Sequence, residues 1–132
     1  MSIISNRTVA LFGESEKGDY KFPHYCKTLG QLMDRLGHPS PESRGIYYAV
    51  QAILYENHLI YFRVEEEGFS HEDYLYGVRV IEKADFENPL TALFAPGVGS
   101  CRIVDALASA CKATNSVLVT TEEDLYDYLM RK

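Results

Sequence analysis

The sequence has no tryptophan, so its aromatic character rests on ten tyrosines and six phenylalanines. It has only three cysteines, Cys26, Cys101 and Cys111, an odd set without CxxC spacing. That pattern argues against a disulfide framework and against a zinc site, and reduced thiols suit a cytoplasmic location. No apolar run approaches the ~18 residues a membrane-spanning helix needs. The first residues, Met1 to Arg7, lack a basic segment followed by a long apolar one, so no secretory leader is expected. Basic residues are few: 13 Lys and Arg stand against 19 Asp and Glu, for a net charge of −6. They are scattered, whereas nucleic-acid binding needs them clustered. A small anion remains admissible, because backbone N–H groups can hold one whatever the net charge.

Apolar residues are plentiful, at 46% of 132 residues, and their spread along the whole chain excludes disorder. A chain of this length forms one domain, residues 1–132, and can bury roughly 70% of its unfolded surface without staples.

Two periodicities alternate along it. Thr8 to Phe12 is a short apolar run stopped by Gly13, and reads as a buried strand. A long polar loop follows to Pro23. Thr28 and Gln31 form a capping box for a helix whose stripe is Leu29, Leu32, Met33 and Leu36, with Gly37 as its stop. After a turn at His38 to Pro41, a helix from about Glu42 to Asn57 carries Ile46, Val50, Ile53 and Leu54 inward. Leu59 to Val64 is a strand by its β-branched and aromatic content. Ser70 caps a third helix with Tyr74, Leu75, Val78 and Ile81 on one face. A loop ends at Asn88-Pro89. Leu90 to Ala95 is a strand, Cys101 to Ala113 a helix with Ile103, Val104, Leu107 and Cys111 inward, and Ser116 to Thr120 a fourth strand. Thr120 and Glu123 form a capping box for the last helix, with Leu125, Tyr128 and Leu129 buried.

Strands joined through helices imply an α/β fold with a mostly parallel sheet and right-handed crossovers. The expected form is a three-layer, Rossmann-like or flavodoxin-like domain with four strands in the order 2-1-3-4. That order puts the chain reversal between the first and third strands, where diverging loops leave a crevice at the carboxyl ends. Two glycine-bearing loops would flank it: Gly13 to Pro23, with Gly18, and Pro96 to Ser100. Glycine permits positive φ and close approach of another atom. The second loop runs into a helix whose first amides would face the crevice.

Gly97, Gly99 and Ser100 are therefore candidate phosphate ligands, with Lys17 adding charge from the facing loop and Gly13 and Gly18 shaping it. Gly13 to Gly18 is neither a Walker loop nor a GxGxxG fingerprint. Glu14 and Glu65, at the ends of adjacent strands, suit ribose hydroxyls or a hard cation such as magnesium. Cys101 at a helix start is a candidate nucleophile, though no histidine is placed beside it by local sequence. His24 and Cys26 bracket Tyr25 after the first loop, with no further ligands in register for a metal, and His58 and His71 fall at element ends. The tyrosines of the middle segments suit core-rim packing or an interface. Tyr20, Phe22 and Tyr25 could form a lid over a base. The exposed edges of a small sheet suit a homodimer.

The segment Leu93-Phe94-Ala95-Pro96-Gly97-Val98-Gly99-Ser100 is similar to the Pro-Gly-Gly-x-Gly-Thr motif of the Rossmann-like LONELY GUY-type phosphoribohydrolases, once described as lysine decarboxylases. The first strand and its loop resemble that family's opening. Val98 replaces one glycine, the family's catalytic Glu after the Thr is absent with Asp105 the nearest acid, and its Gly-rich middle motif has no match. The likeness covers about a quarter of the chain and implies nucleotide-phosphate binding more than hydrolysis.

The expectation is a binding domain for a nucleotide or sugar phosphate, with nucleotide hydrolysis as its enzymatic form. The alternatives are a catalytically inert, homodimerising interaction subunit and a cysteine-dependent enzyme using Cys101.

Overall fold

The apolar run at the amino end forms a strand buried along its whole length, β1 (Thr8–Gly13), at the centre of the sheet. The computed structural model describes residues 7–38, 43–83 and 90–130. The stretch 1–6, the turn read at 39–41, the helix start at Glu42 and the loop ending at Asn88-Pro89 lie outside the described residues.

Nine further elements follow: β2 (Pro23–Cys26), α1 (Leu29–Leu36), α2 (Arg44–Leu54), β3 (His58–Arg63), α3 (His71–Lys83), β4 (Leu90–Phe94), α4 (Cys101–Thr114), β5 (Val117–Val119) and α5 (Glu122–Met130). They form a mixed α/β structure with one five-stranded sheet in the order β2-β3-β1-β4-β5. This corrects the expected count of four strands, and the fifth strand added beside β3 changes the full order from the expected 2-1-3-4. The additional strand, β2, comes from the first long loop and pairs antiparallel with β3, from Pro23 opposite Phe62 to Cys26 opposite Leu59. Its alternation is short but regular: His24 and Cys26 are buried while Tyr25 is exposed. A proline opening an edge strand costs no ladder bond. The other four strands run β3-β1-β4-β5 and pair parallel throughout.

Alternate residues of β1 feed two cores. Val9 and Leu11 pack with side chains of α1, α2 and α5, including Leu32, Ile46 and Leu125. Ala10 and Phe12 pack with α3 and α4 through Tyr74, Ile81, Ile103 and Leu107. Each large apolar side chain so enclosed contributes about 1.5–3 kcal/mol. Among the described residues, no helix is long and apolar enough to cross a membrane.

Several local expectations shift by a residue. Thr28 Oγ1 accepts from the Gln31 amide (3.1 Å), while Gln31 Oε1 accepts from the Lys27 amide (2.7 Å), one residue before the expected partner. Thr121, not Thr120, caps α5 by accepting from the Asp124 amide at 3.1 Å. The Ser70 hydroxyl does not cap α3. It accepts from the Glu66 amide and donates to the Glu66 carbonyl. Leu54, expected inward, is 57% exposed as the last residue of α2, while Ala52 and Ile53 before it stay in the core. Leu29, at the first turn of α1, is also exposed.

Candidate functional site

The amino end of α2 rests directly on the carboxyl end of β1. A Cβ on Gly13 would come within 2.6 Å of the Gly45 Cα, and one on Gly45 within 2.7 Å of the Gly13 Cα. Two glycines let the helix start lie against the strand end, with its first amides pointing at the loops beyond.

Those amides already hold an anion, the carboxylate of Glu67. Glu67 Oε2 accepts from the amides of Gly45 (2.9 Å) and Glu14 (2.9 Å), and Oε1 accepts from the Arg44 amide (3.2 Å). The Ser43 hydroxyl shares its single proton between the Glu14 carbonyl (2.8 Å) and Glu67 Oε2 (3.2 Å). Glu14 returns the contact, its Oε2 accepting from the Glu67 amide at 2.9 Å. Tyr61, fully buried beneath, donates to the Glu14 carbonyl at 2.7 Å. Burial holds the Tyr61 phenol well above its ordinary pKa, and the Glu67 charge adds to the effect. A negative group at a helix start is favoured by the amides and the helix dipole together. Here the chain supplies that group itself.

The residues singled out in the sequence separate in space. Gly13 serves the strand–helix contact, and Glu14 belongs to the Glu67 cluster. Lys17 is exposed, and the amides of Glu16 and Lys17 donate to the Leu36 carbonyl at the end of α1. The Gly18 carbonyl accepts from the Arg63 guanidinium. Residues 16–18 are thus tied to α1 and β3, and the expected pairing of the two glycine loops is not what meets the Pro96–Ser100 turn. That partner is the loop after β3: a Cβ on Gly68 would lie 3.6 Å from the Val98 Cα and closer still to Gly97. Glu65 is exposed, with its amide donating to Asp73 (2.9 Å).

Gly97 has φ +81 and follows Pro96, and the Val98 amide reaches the Ala95 carbonyl at 3.4 Å. This is turn chemistry in which proline presets one corner and glycine supplies the left-handed one. Nothing lies within 4 Å of a Cβ placed on Gly99. Ser100 stands at the N-cap of α4, yet its side chain makes no cap bond and meets His71 Nε2 at 3.2 Å instead. Cys101 is exposed beside it. Cys26 and Cys111 are buried, and burial raises both thiols, that of Cys111 to about 11. His24 is also buried, donating through Nε2 to the Asp19 carbonyl (3.0 Å). Among the described residues, no three His, Cys, Asp or Glu side chains converge on a metal position. Tyr20 lies under Arg63, 4.3 Å from guanidinium carbon to ring centre, and Phe22 packs edge-on against His24. Those contacts keep both rings at the β2–β3 edge.

A cleft of about 1030 Å³ opens at the carboxyl ends of β4 and β5. Its α2 wall is Ser43, Arg44, Tyr47, Tyr48 and Val50, its floor is Gly97 and Val98, and its far wall is Thr120, Thr121 and Glu122. Of the candidates from sequence, only Gly97 lines it. Among the described residues lining it, Arg44 is the one cation and Glu122 the one carboxylate. A Cβ on Gly97 would be 3.6 Å from Arg44 Nη1, so the guanidinium lies over the turn. The Tyr47 and Tyr48 rings stand at 68° with centres 6.2 Å apart. The Tyr48 hydroxyl is pushed up to about 12, chiefly by desolvation and then by Glu122, with Arg44 opposing. Tyr47 is hydrogen-bonded through its hydroxyl to Tyr126, which raises its pKa.

Sequence reading missed Arg44, Glu67 and the Thr120–Thr121 pair as site residues. Only Ser43-Arg44-Gly45 carried a signal, as a polar helix start with a cation in its first turn. No known family, curated protein or solved structure matches the chain.

Proposed function

We propose that this protein binds a small phosphate-bearing ligand, a nucleotide or sugar phosphate, in the cleft at the carboxyl ends of β4 and β5. The observation that carries the reading is the Arg44 guanidinium beside the Gly97 turn, in a cleft lined also by Tyr47, Tyr48, Thr120 and Thr121. Guanidinium and hydroxyl groups match phosphate oxygens, and an aromatic wall suits the apolar remainder of the ligand. Ligands of parallel α/β sheets sit beyond the carboxyl ends of the strands. The likeness of Pro96 to Ser100 to a phosphoribohydrolase turn points the same way. Binding is proposed, and hydrolysis is not part of it.

The test is a thermal-shift panel of nucleotides and sugar phosphates. A ligand at about a hundred times its Kd stabilises by about 2.7 kcal/mol, a shift such a panel reads easily. At least one compound should stabilise the wild type and fail with Arg44→Ala. A silent panel overturns the proposal.

A second reading, homodimerisation through β2, is favoured by its position as an edge strand with Tyr25 53% and Phe22 50% exposed. Unpaired edges with apolar flanks invite a partner. Light scattering that finds only monomer across a wide concentration range removes this reading.

A further inference from the structure

We infer that the cleft selects a nucleoside monophosphate, one phosphate at Arg44 with a ribose diol at Glu122, over the corresponding triphosphate. The inference rests on the binding proposed above and narrows its ligand class. Two helix starts border the cleft, and the chain itself already engages amides at both. The α2 amides of Arg44 and Gly45 are taken by the Glu67 carboxylate. The α5 start opens with Glu122, Glu123 and Asp124, and the Asp124 amide is bound by Thr121. Three acidic side chains there repel a phosphate that an uncapped helix start would attract. Phosphate recognition therefore falls to the Arg44 side chain, with threonine hydroxyls at hand. A triphosphate brings further charge for which the described lining residues offer no second cation.

Glu122 has a complementary use. A carboxylate across from a phosphate site accepts both hydroxyls of a ribose, a recurring division of labour in α/β nucleotide sites. Arg44, Tyr48 and Glu122 all line the cleft, and the two charged groups act on the buried Tyr48 hydroxyl with opposite signs. Tyr47, 37% exposed, offers its face to a base. A sugar phosphate without a base leaves that ring uncovered.

Calorimetric titration of the full chain tests this with adenosine and uridine monophosphates, their triphosphates, their 2′,3′-dideoxy monophosphates and ribose 5-phosphate. A monophosphate should bind about tenfold tighter than its triphosphate, and about tenfold tighter than its dideoxy form. Glu122→Gln, an exposed position, should narrow both ratios. Triphosphates binding as well as or better than monophosphates overturn this inference while leaving the cleft a nucleotide site. Monophosphate binding indifferent to the diol and to Glu122→Gln overturns the assignment of Glu122. Binding of none of these compounds, together with a silent sugar-phosphate panel, overturns the underlying proposal.

Discussion

Glu67 Oε2 lies 2.9 Å from the amide nitrogen of Gly45, so the chain's own carboxylate fills the helix-start position where an external anion would otherwise sit. The same oxygen accepts from Glu14, which joins the ends of β1 and β3 to the start of α2. Glu67→Ala should leave the amides of Glu14, Arg44 and Gly45 without their acceptor, at a cost of about 1–3 kcal/mol. Glu67→Gln keeps one acceptor oxygen and should cost less. Urea denaturation checks the order. An unchanged midpoint for Glu67→Ala means that water replaces the carboxylate at no cost and that the cluster is not what fixes α2.

The glycines of the two loops divide into opposite kinds. A Cβ at Gly13 meets the backbone of Gly45 at 2.6 Å, and backbone cannot turn aside as a side chain can. Gly13→Ala should therefore destabilise by about 1–3 kcal/mol, the cost of overpacking a tight contact. Gly99→Ala meets nothing within 4 Å, and Gly99 is not among the positive-φ residues. It should be neutral, or stabilising by up to about 1 kcal/mol through the unfolded chain. Thermal or urea unfolding of the two variants side by side checks this, and equal losses would contradict it.

Much of the fold was legible because its period is plain. The buried parallel strands announce themselves as apolar runs, and Thr28 with Gln31 as a capping pair. β2 was not legible, because four residues starting with proline inside a polar, glycine-bearing stretch look like loop, and only pairing with β3 makes them strand. The site was legible in one part. Pro96 to Ser100 reads as a glycine-bearing loop after a strand, since proline and glycine encode local backbone geometry, and its Gly97 lines the cleft. Arg44 and Glu67 did not read as a site, because Glu67 meets the Arg44 and Gly45 amides across 23 and 22 positions of sequence and the Arg44 guanidinium reaches the distant Gly97 turn. Glu67 in particular looks like one of three solvated acids in Glu65-Glu66-Glu67, and only the meeting of β1, β3 and α2 distinguishes it from its neighbours.

In the proposed site Arg44 takes the place that the sequence expectation gave to Lys17. Lys17 is exposed on a loop whose backbone is tied to Leu36, whereas the Arg44 guanidinium overlies the Gly97 turn. A charge-assisted phosphate contact is worth about 1.5–3 kcal/mol, or about 10- to 100-fold in affinity. Arg44→Ala should weaken the ligand by that factor, and Lys17→Ala should leave it unchanged. Titration of both variants with whichever phosphate compound stabilises the wild type decides between them. The reverse pattern would return the site to the first loop.

The buried thiols and phenols make stability sensitive to alkali. Cys111 is raised from its ordinary 9.0 to about 11, and Tyr48 from 10.0 to about 12, both chiefly by desolvation. Cys26, Tyr61 and Tyr74 move in the same direction for the same leading reason. Each raised pKa means that the folded chain keeps a proton the unfolded chain has released. Between the two pKa values the unfolded state binds fewer protons, so stability falls as pH rises. The contribution is whole below about pH 9, where both states are protonated, and for Cys111 it is lost across pH 9 to 11. Urea midpoints should therefore start to decline near pH 9, and Cys111→Ala should flatten the first part of that decline while lowering stability at pH 7. In the native state only the exposed Cys101 should react rapidly with a thiol reagent near pH 8, with Cys26 and Cys111 reacting on unfolding. Three thiols reacting at one rate in the folded protein, or a midpoint flat from pH 8 to 11, would show that these groups meet solvent before the chain unfolds.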